Sequence, residues 1–166
     1  MTNSSAIDAL DARLIALLEA EPRIGVLECA RRLGVARGTV QARLDKLASR
    51  GVVRDFGPRV DPAPLGYPVT AFVTLELRQA VGHQRVAERL ADIPEVLEAH
   101  TVTGVGDMLC RIVARTNAGL QDVIDRVLAS EGVLRATTVI ALAEQIPHRT
   151  LPLVRAAAEE RGPRAE

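Results

Sequence analysis

Apolar positions along the chain change their spacing near residue 68, and the change divides it into two regions of different architecture. Up to that point the spacing is helical. Ile7, Leu10, Leu14, Leu17 and Leu18 recur three or four residues apart and stop before Pro22, which predicts an amphipathic helix. Ser5-Ala6-Ile7-Asp8 in front of it has the form of a capping box, with Asp in place of the usual Glu. Val26, Leu27, Ala30 and Leu33 make a second stripe, and Val40, Leu44 and Leu47 a third, bounded by Gly25, Gly34 and Gly51. Two short helices joined by three or four residues containing Gly have the sequence form of a helix-turn-helix, closed into a three-helix core by the first stripe. Val52, Val53 and Val60 then carry the β-branched content of a strand. Pro58, Pro62, Pro64 and Pro68, with Gly57 and Gly66, place a linker at 55–68.

The second region reads as strand at Val69 to Leu77, helix from His83 to Ile93, strand at Val96 to Val102, a turn at 103–107 and strand at Met108 to Ala114. Asn117 reads as the N-cap of a helix carrying Leu120, Val123, Ile124, Val127 and Leu128, and Val133 to Leu142 reads as a last strand. The order β-α-β-β-α-β is the ferredoxin-like split unit, so the fold class is α+β: an N-terminal helix-turn-helix domain at 1–54, the linker, a ferredoxin-like domain at 69–143, and a tail at 144–166. Both helices cover one sheet face, and the uncovered apolar face predicts a partner surface, most economically a second copy in a homodimer. The tail, broken by Pro147 and Pro152, is expected to strap across that dimer, with a helical turn or two from Arg155 to Arg161.

Charge sharpens this picture. The 166 residues carry no net charge, yet Arg31, Arg32, Arg37, Arg43, Lys46, Arg50 and Arg54 stand against the single acid Asp45. This local excess predicts that the second helix of the motif enters a DNA major groove. Arg37, Gly38, Thr39 and Gln41 lie at its N-terminal end, where base edges are read. Arg43, Lys46 and Arg50 are expected on phosphates or on the protein's own acids. Gln41→Ala is therefore expected to change sequence preference, and Arg50→Ala to lower affinity evenly. No apolar run reaches a membrane span, and the N-terminus has no apolar signal core, so a soluble cytoplasmic protein is expected. Cys29 and Cys110 read as buried hydrophobes. His83, His100 and His148 stand alone, with no metal-ligand spacing and no nucleophile or phosphate-loop motif, so no metal, no cofactor and no catalytic residue is expected. The competing classes are a small ferredoxin-like enzyme and a metabolite-sensing regulatory subunit without DNA binding.

Leu10-Asp11 through Ile15, Pro22-Arg23-Ile24, Glu28 to Val35, Thr39 to Leu44, Gly51-Val52-Val53, Leu65-Gly66-Tyr67, Thr103 to Asp107 and Thr137-Thr138-Val139 occur in an order and spacing that resemble the Lrp/AsnC family of prokaryotic transcriptional regulators. The resemblance covers about residues 7 to 142. It implies a winged helix-turn-helix, a ferredoxin-like effector domain, double-stranded DNA as partner, and homodimers assembling to tetramers or octamers. It also implies that a small effector, commonly an amino acid, binds near the Gly-x-Gly-Asp turn. On residues alone that turn is a tight hairpin. The resemblance makes Thr103, Gly104, Val105, Gly106 and Asp107 an effector site, with exposed N–H groups for a carboxylate and Asp107 for an α-ammonium. Thr101, Thr137 and Thr138 would add hydroxyls. Two departures stand out: family members usually carry Ser where this chain has Ala36 and Gly38, and many have an aromatic residue in the turn where it has Val105-Gly106.

Overall fold

The computed structural model describes residues 7–54 and 57–160. Their elements run α1 (Ala9–Ala20), α2 (Val26–Leu33), α3 (Arg37–Ser49), β1 (Val69–Leu77), α4 (His83–Leu90), β2 (Val96–Thr101), β3 (Met108–Ala114), α5 (Asn117–Leu128), β4 (Val133–Ala141) and α6 (Leu151–Glu159). They form two compact units, one of the chain up to Pro58 together with the part from Pro147 onward, the other of Arg59–Ile146.

In the helical unit, Leu14, Cys29, Ala30, Val40 and Leu47 are buried together, with Ile15, Leu18, Val26, Leu33 and Leu44 packed around them. Leu27 is 70% exposed, so the inward stripe of α2 is Val26, Cys29, Ala30 and Leu33. The capping box of α1 lies three residues later than the sequence suggests. Asp8 is the N-cap and accepts the Asp11 N–H at 2.8 Å, while the Asp11 carboxylate accepts the Asp8 N–H at 3.3 Å; Ser5 and Ala6 fall outside the described residues. The turn between α2 and α3 is set by Gly34 at φ 69°. Its N–H donates to the Arg31 carbonyl and that of Val35 to the Ala30 carbonyl, the paired bonds of a Schellman ending that a residue with a Cβ adopts only under strain.

No strand forms among the described residues between α3 and β1. Val52 and Val53 instead fold back, both donating to the Leu47 carbonyl and packing half-buried on the core. An apolar pair that ends a helix and one that begins a strand look alike in sequence. The paired strands of a wing are therefore not formed there among the described residues. The residues from Pro147 return to this unit, and α6 packs on α1 with Leu151, Val154 and Ala158 half-buried. The helix begins four residues before Arg155, because Pro152 occupies its first turn, where a missing N–H costs nothing.

The second unit is a four-stranded antiparallel sheet in the order β2-β3-β1-β4. Val86 and Leu90 of α4 and Leu120, Val123 and Val127 of α5 bury one face, against Ala71, Val73, Leu75, Met108, Cys110 and Ile112. This is the ferredoxin-like arrangement. The N-cap of α5 is Thr116, whose hydroxyl accepts the Gly119 N–H at 2.9 Å, so Asn117 is the first helical residue. On the other face Phe72 lies opposite Val139 and Arg111, and Thr74 opposite Thr137 and Leu109. Upstream of β1 the Pro62 carbonyl accepts from Leu65 and Tyr67, and the Arg115 guanidinium sits 4.7 Å above the Tyr67 ring.

Candidate functional site

The outer surface of α3 follows from its inner one. Val40 and Leu47 are buried and Leu44 is half-buried, which turns Arg37, Gly38, Thr39, Gln41, Asp45 and Lys46 outward, all exposed. The N-cap is Ala36, so the helix starts without a side-chain cap. The Gln41 amide donates to Asp45 Oδ1 at 2.8 Å, Arg50 is the exposed C-cap residue, and Arg37 and Lys46 have no ion pair among the described residues.

Arg43 departs from this set. Its Nη1 donates to Asp8 Oδ2 at 2.6 Å and to Asp11 Oδ1 at 2.7 Å, and Asp11 is the buried charged residue of the described structure. Of the two fates left open by sequence for Arg43, phosphate or the protein's own acids, it takes the acids in this structure. Arg31 and Arg32 are likewise held by Glu28, and Arg32 also by Glu21. The free positive surface is therefore narrower than the sequence suggests. The partition of charge nonetheless favours the helical unit, which has thirteen basic against ten acidic residues, while the sheet unit has eight against eleven. The missed residues are Asp8 and Asp11. Their signal is two acids three apart at the start of an apolar helix; the sequence places Asp8 only in a cap with Ser5, and Asp11 only in the family resemblance.

The ion pairs make this unit acid-sensitive. Burial would raise the Asp8 carboxyl, but hydrogen bonds from Arg43 and from the Asp11 and Leu10 backbone outweigh it and hold it below the usual range. Hydrogen bonds from Arg31 and Arg32 lower Glu28 to about 2. A carboxylate with a lowered folded value contributes stability that is complete above its unfolded value near ~4, and that is lost as pH falls through the folded value. Melting temperatures followed by circular dichroism are expected to fall between about pH 4 and about pH 2, and to fall less steeply in Asp8→Asn.

In the sheet unit the turn 103–107 joins β2 to β3. Gly106 has φ 83°, and a Cβ there would lie 2.4 Å from Thr74 Cγ2 and 3.1 Å from the Leu75 carbonyl oxygen, so the turn packs directly on β1. Asp107 continues the ladder with its side chain: its N–H donates to the Leu75 carbonyl at 2.8 Å and its Oδ2 accepts the Leu77 N–H at 2.7 Å. Thr103, Gly104 and Val105 are exposed, Val105 at 91%. Register decides the threonines. Thr137 lies opposite Thr74 on the uncovered face, next to the strand on which Gly106 packs. Thr138 lies opposite Val73 and Thr101 opposite Met108, on the helix-covered face. Adjacent strand residues point to opposite faces, so Thr137 and Thr138 cannot serve one site together, and the hydroxyls expected of Thr101 and Thr138 are not brought to it. Thr74, which sequence reasoning missed, is.

Among the described residues no three His, Cys, Asp or Glu side chains gather as a metal site. Both cysteines are buried, and burial pushes the Cys110 thiol up to about 11, far from a reactive thiolate. No described helix is long and apolar enough to cross a membrane. The two units present two exposed surfaces: the outward side of α3 with Arg37 and Lys46, and a sheet face bordered by a glycine turn.

A helix-turn-helix unit joined to a ferredoxin-like unit with such a turn defines a DNA-binding regulator that carries its own sensing domain. The comparisons agree in both halves: residues 7–48 match the AsnC-type helix-turn-helix domain and residues 70–151 the Lrp/AsnC ligand binding domain. The chain belongs to the Lrp/AsnC family of transcriptional regulators, which are not enzymes. It is 30% identical to the transcriptional regulator FL11 of Pyrococcus furiosus over 82% of this chain and 89% of that one. The solved AsnC of E. coli superposes with a TM-score of 0.79 at 27% identity, covering 88% of this chain and 99% of that chain. A feast or famine regulatory protein of M. tuberculosis, solved in complex with L-methionine, gives 0.76 at 28% identity, covering 87% and 97%.

Proposed function

We propose that the chain reads double-stranded DNA through the N-terminal half of α3 and senses an amino acid at the 103–107 turn, as a cytoplasmic homodimer that assembles further. The observation that carries the DNA-reading half is the outward face of α3. Arg37, Gly38, Thr39 and Gln41 stand exposed at the end of a helix whose other side is locked into the core. A helix held this way enters the major groove N-terminus first, where Arg pairs with guanine and Gln with adenine. Gln41 exchanges its bond to Asp45 for one to a base edge. Lys46 and Arg50, further along, meet phosphates.

Gln41→Ala is expected to lower the ratio of matched to scrambled binding by about tenfold, the cost of one unread base pair. Lys46→Ala is expected to weaken both equally and reduce the salt slope by about one. Fluorescence anisotropy on two duplexes at two salt concentrations separates them, and equal losses in both variants would refute the division.

The sensing half is supported by the L-methionine complex of the M. tuberculosis relative and by the turn itself. Oδ2 of Asp107 is taken up by the Leu77 N–H while its Oδ1 has no hydrogen-bond partner among the described residues, which leaves an acceptor for an ammonium, and the exposed residues 103–105 offer N–H groups for a carboxylate. Calorimetric titration with L-methionine and then the other amino acids tests this. The control is Asp107→Asn, because Asp107→Ala would also strip the Leu77 N–H of its acceptor. Absence of any heat with wild type, or undiminished affinity in Asp107→Asn, would remove the site.

A further inference from the structure

We propose that Asp8, Asp11 and Arg43 form a clamp that sets the roll of α3, which makes Arg43 a positioning residue for base recognition and not a phosphate contact. The inference rests on the reading of α3 as the DNA-reading helix and says how that helix is held. Apolar packing of Val40 and Leu47 on Leu14 fixes which side of α3 faces inward, but the hydrophobic effect behind it is non-directional and sets the exact roll less sharply than directed bonds do. The clamp is directional. One guanidinium nitrogen bridges the N-cap of α1 and a buried carboxylate three residues on, at 2.6 and 2.7 Å, with the Asp11 side chain only 4% exposed. Both acids also bond backbone N–H groups of the α1 cap, so they cannot swing to follow a displaced partner.

The geometry makes the roll matter. Gln41 is two residues from Arg43, roughly 200° around the helix, so fixing Arg43 toward α1 fixes Gln41 away from it. A roll of about 20° moves a side-chain tip some 6 Å from the axis about 2 Å sideways, more than a hydrogen bond to a base edge tolerates.

The test uses the full chain with the duplex it best selects from a random pool and a scrambled one. Asp11→Asn removes a negative charge beside the DNA-facing helix, so electrostatics alone would tighten binding. The clamp requires the reverse: about a tenfold loss on the matched duplex, scrambled binding unchanged or stronger, and an unchanged salt slope. Asp8→Asn keeps an equally good N-cap and leaves Asp11 in place, and is expected to move in the same direction if Asp11→Asn does not fold. Arg43→Lys, which retains a charge for one carboxylate, is expected to recover part of what Arg43→Gln loses.

Equal losses on both duplexes with a salt slope reduced by about one in Arg43→Gln would mark a phosphate contact and overturn the clamp. A wild-type ratio retained in every folded variant despite lower melting temperatures would reduce it to a stability device and overturn it as well. A wild-type chain that distinguishes no duplex from another overturns the underlying reading of α3, and the clamp with it.

Discussion

Replacing Val139 with Asp is expected to leave each protomer folded, to separate the proposed dimer into monomers, and to weaken DNA binding about a hundredfold or more. Val139 is 63% exposed on β4 and lies directly opposite Phe72 on β1, itself 42% exposed. Neither contributes to the core under α4 and α5, so the exchange costs the protomer little. An apolar pair at the middle of an open antiparallel face is poorly placed for a monomer and well placed for two-fold self-pairing. In the proposed pairing a charge at its centre would be buried against an apolar partner face without a counter-charge. Loss of pairing removes the second recognition helix, and linked sites lose about 10²- to 10⁴-fold in avidity when uncoupled. Sedimentation velocity beside DNA titration checks both parts. A dimer that persists in the variant would move the interface elsewhere.

Gly106→Ala is expected to destabilise the sheet unit by about 2–4 kcal/mol and to abolish amino-acid binding. Two effects add. The backbone sits at φ 83°, where a Cβ is strained by ~1–2 kcal/mol. The Cβ would also collide with Thr74 at 2.4 Å, and Thr74 is short, branched and held in β1. Relief requires the turn to lift off β1, which breaks the bond from the Asp107 N–H to the Leu75 carbonyl and that from the Leu77 N–H to Asp107 Oδ2. Gly104→Ala separates the two causes, since Gly104 has φ 106° with open space around it and suffers only the first. A melting temperature lower in Gly106→Ala than in Gly104→Ala is the expected order. Equal losses would show that packing against Thr74 does not hold the turn.

Much of this was legible in the residues because each periodicity had one physical solution. The β-α-β-β-α-β order follows from the alternation in Val69 to Leu77 and from the clean helical template after Asn117, and the Gly34 turn from its spacing between two stripes. What failed were questions of direction. Leu27 fits the α2 stripe by spacing alone yet faces out, and Cys29, which reads as a buried hydrophobe, takes the inward place. Val52 and Val53 have strand composition yet end a helix, since propensity carries no information about the nearest carbonyl acceptor. Arg43 was ambiguous because its partners lie more than thirty residues away in α1. Thr137 and Thr138 are adjacent in one strand, and alternation alone turns them to opposite faces. Thr74 was invisible, because only the register of β1 with β4 and the close approach of Gly106 single it out.

The central claim, that paired sensor domains present two charged recognition helices to DNA, has one direct measurement: selection of the sequences bound by the purified full chain from a pool of random duplexes. The account predicts enrichment of a two-fold symmetric site whose half-sites lie about one helical turn, or a multiple of it, apart. A pool that comes through unenriched, or an enriched site with a single unrepeated half, would contradict it.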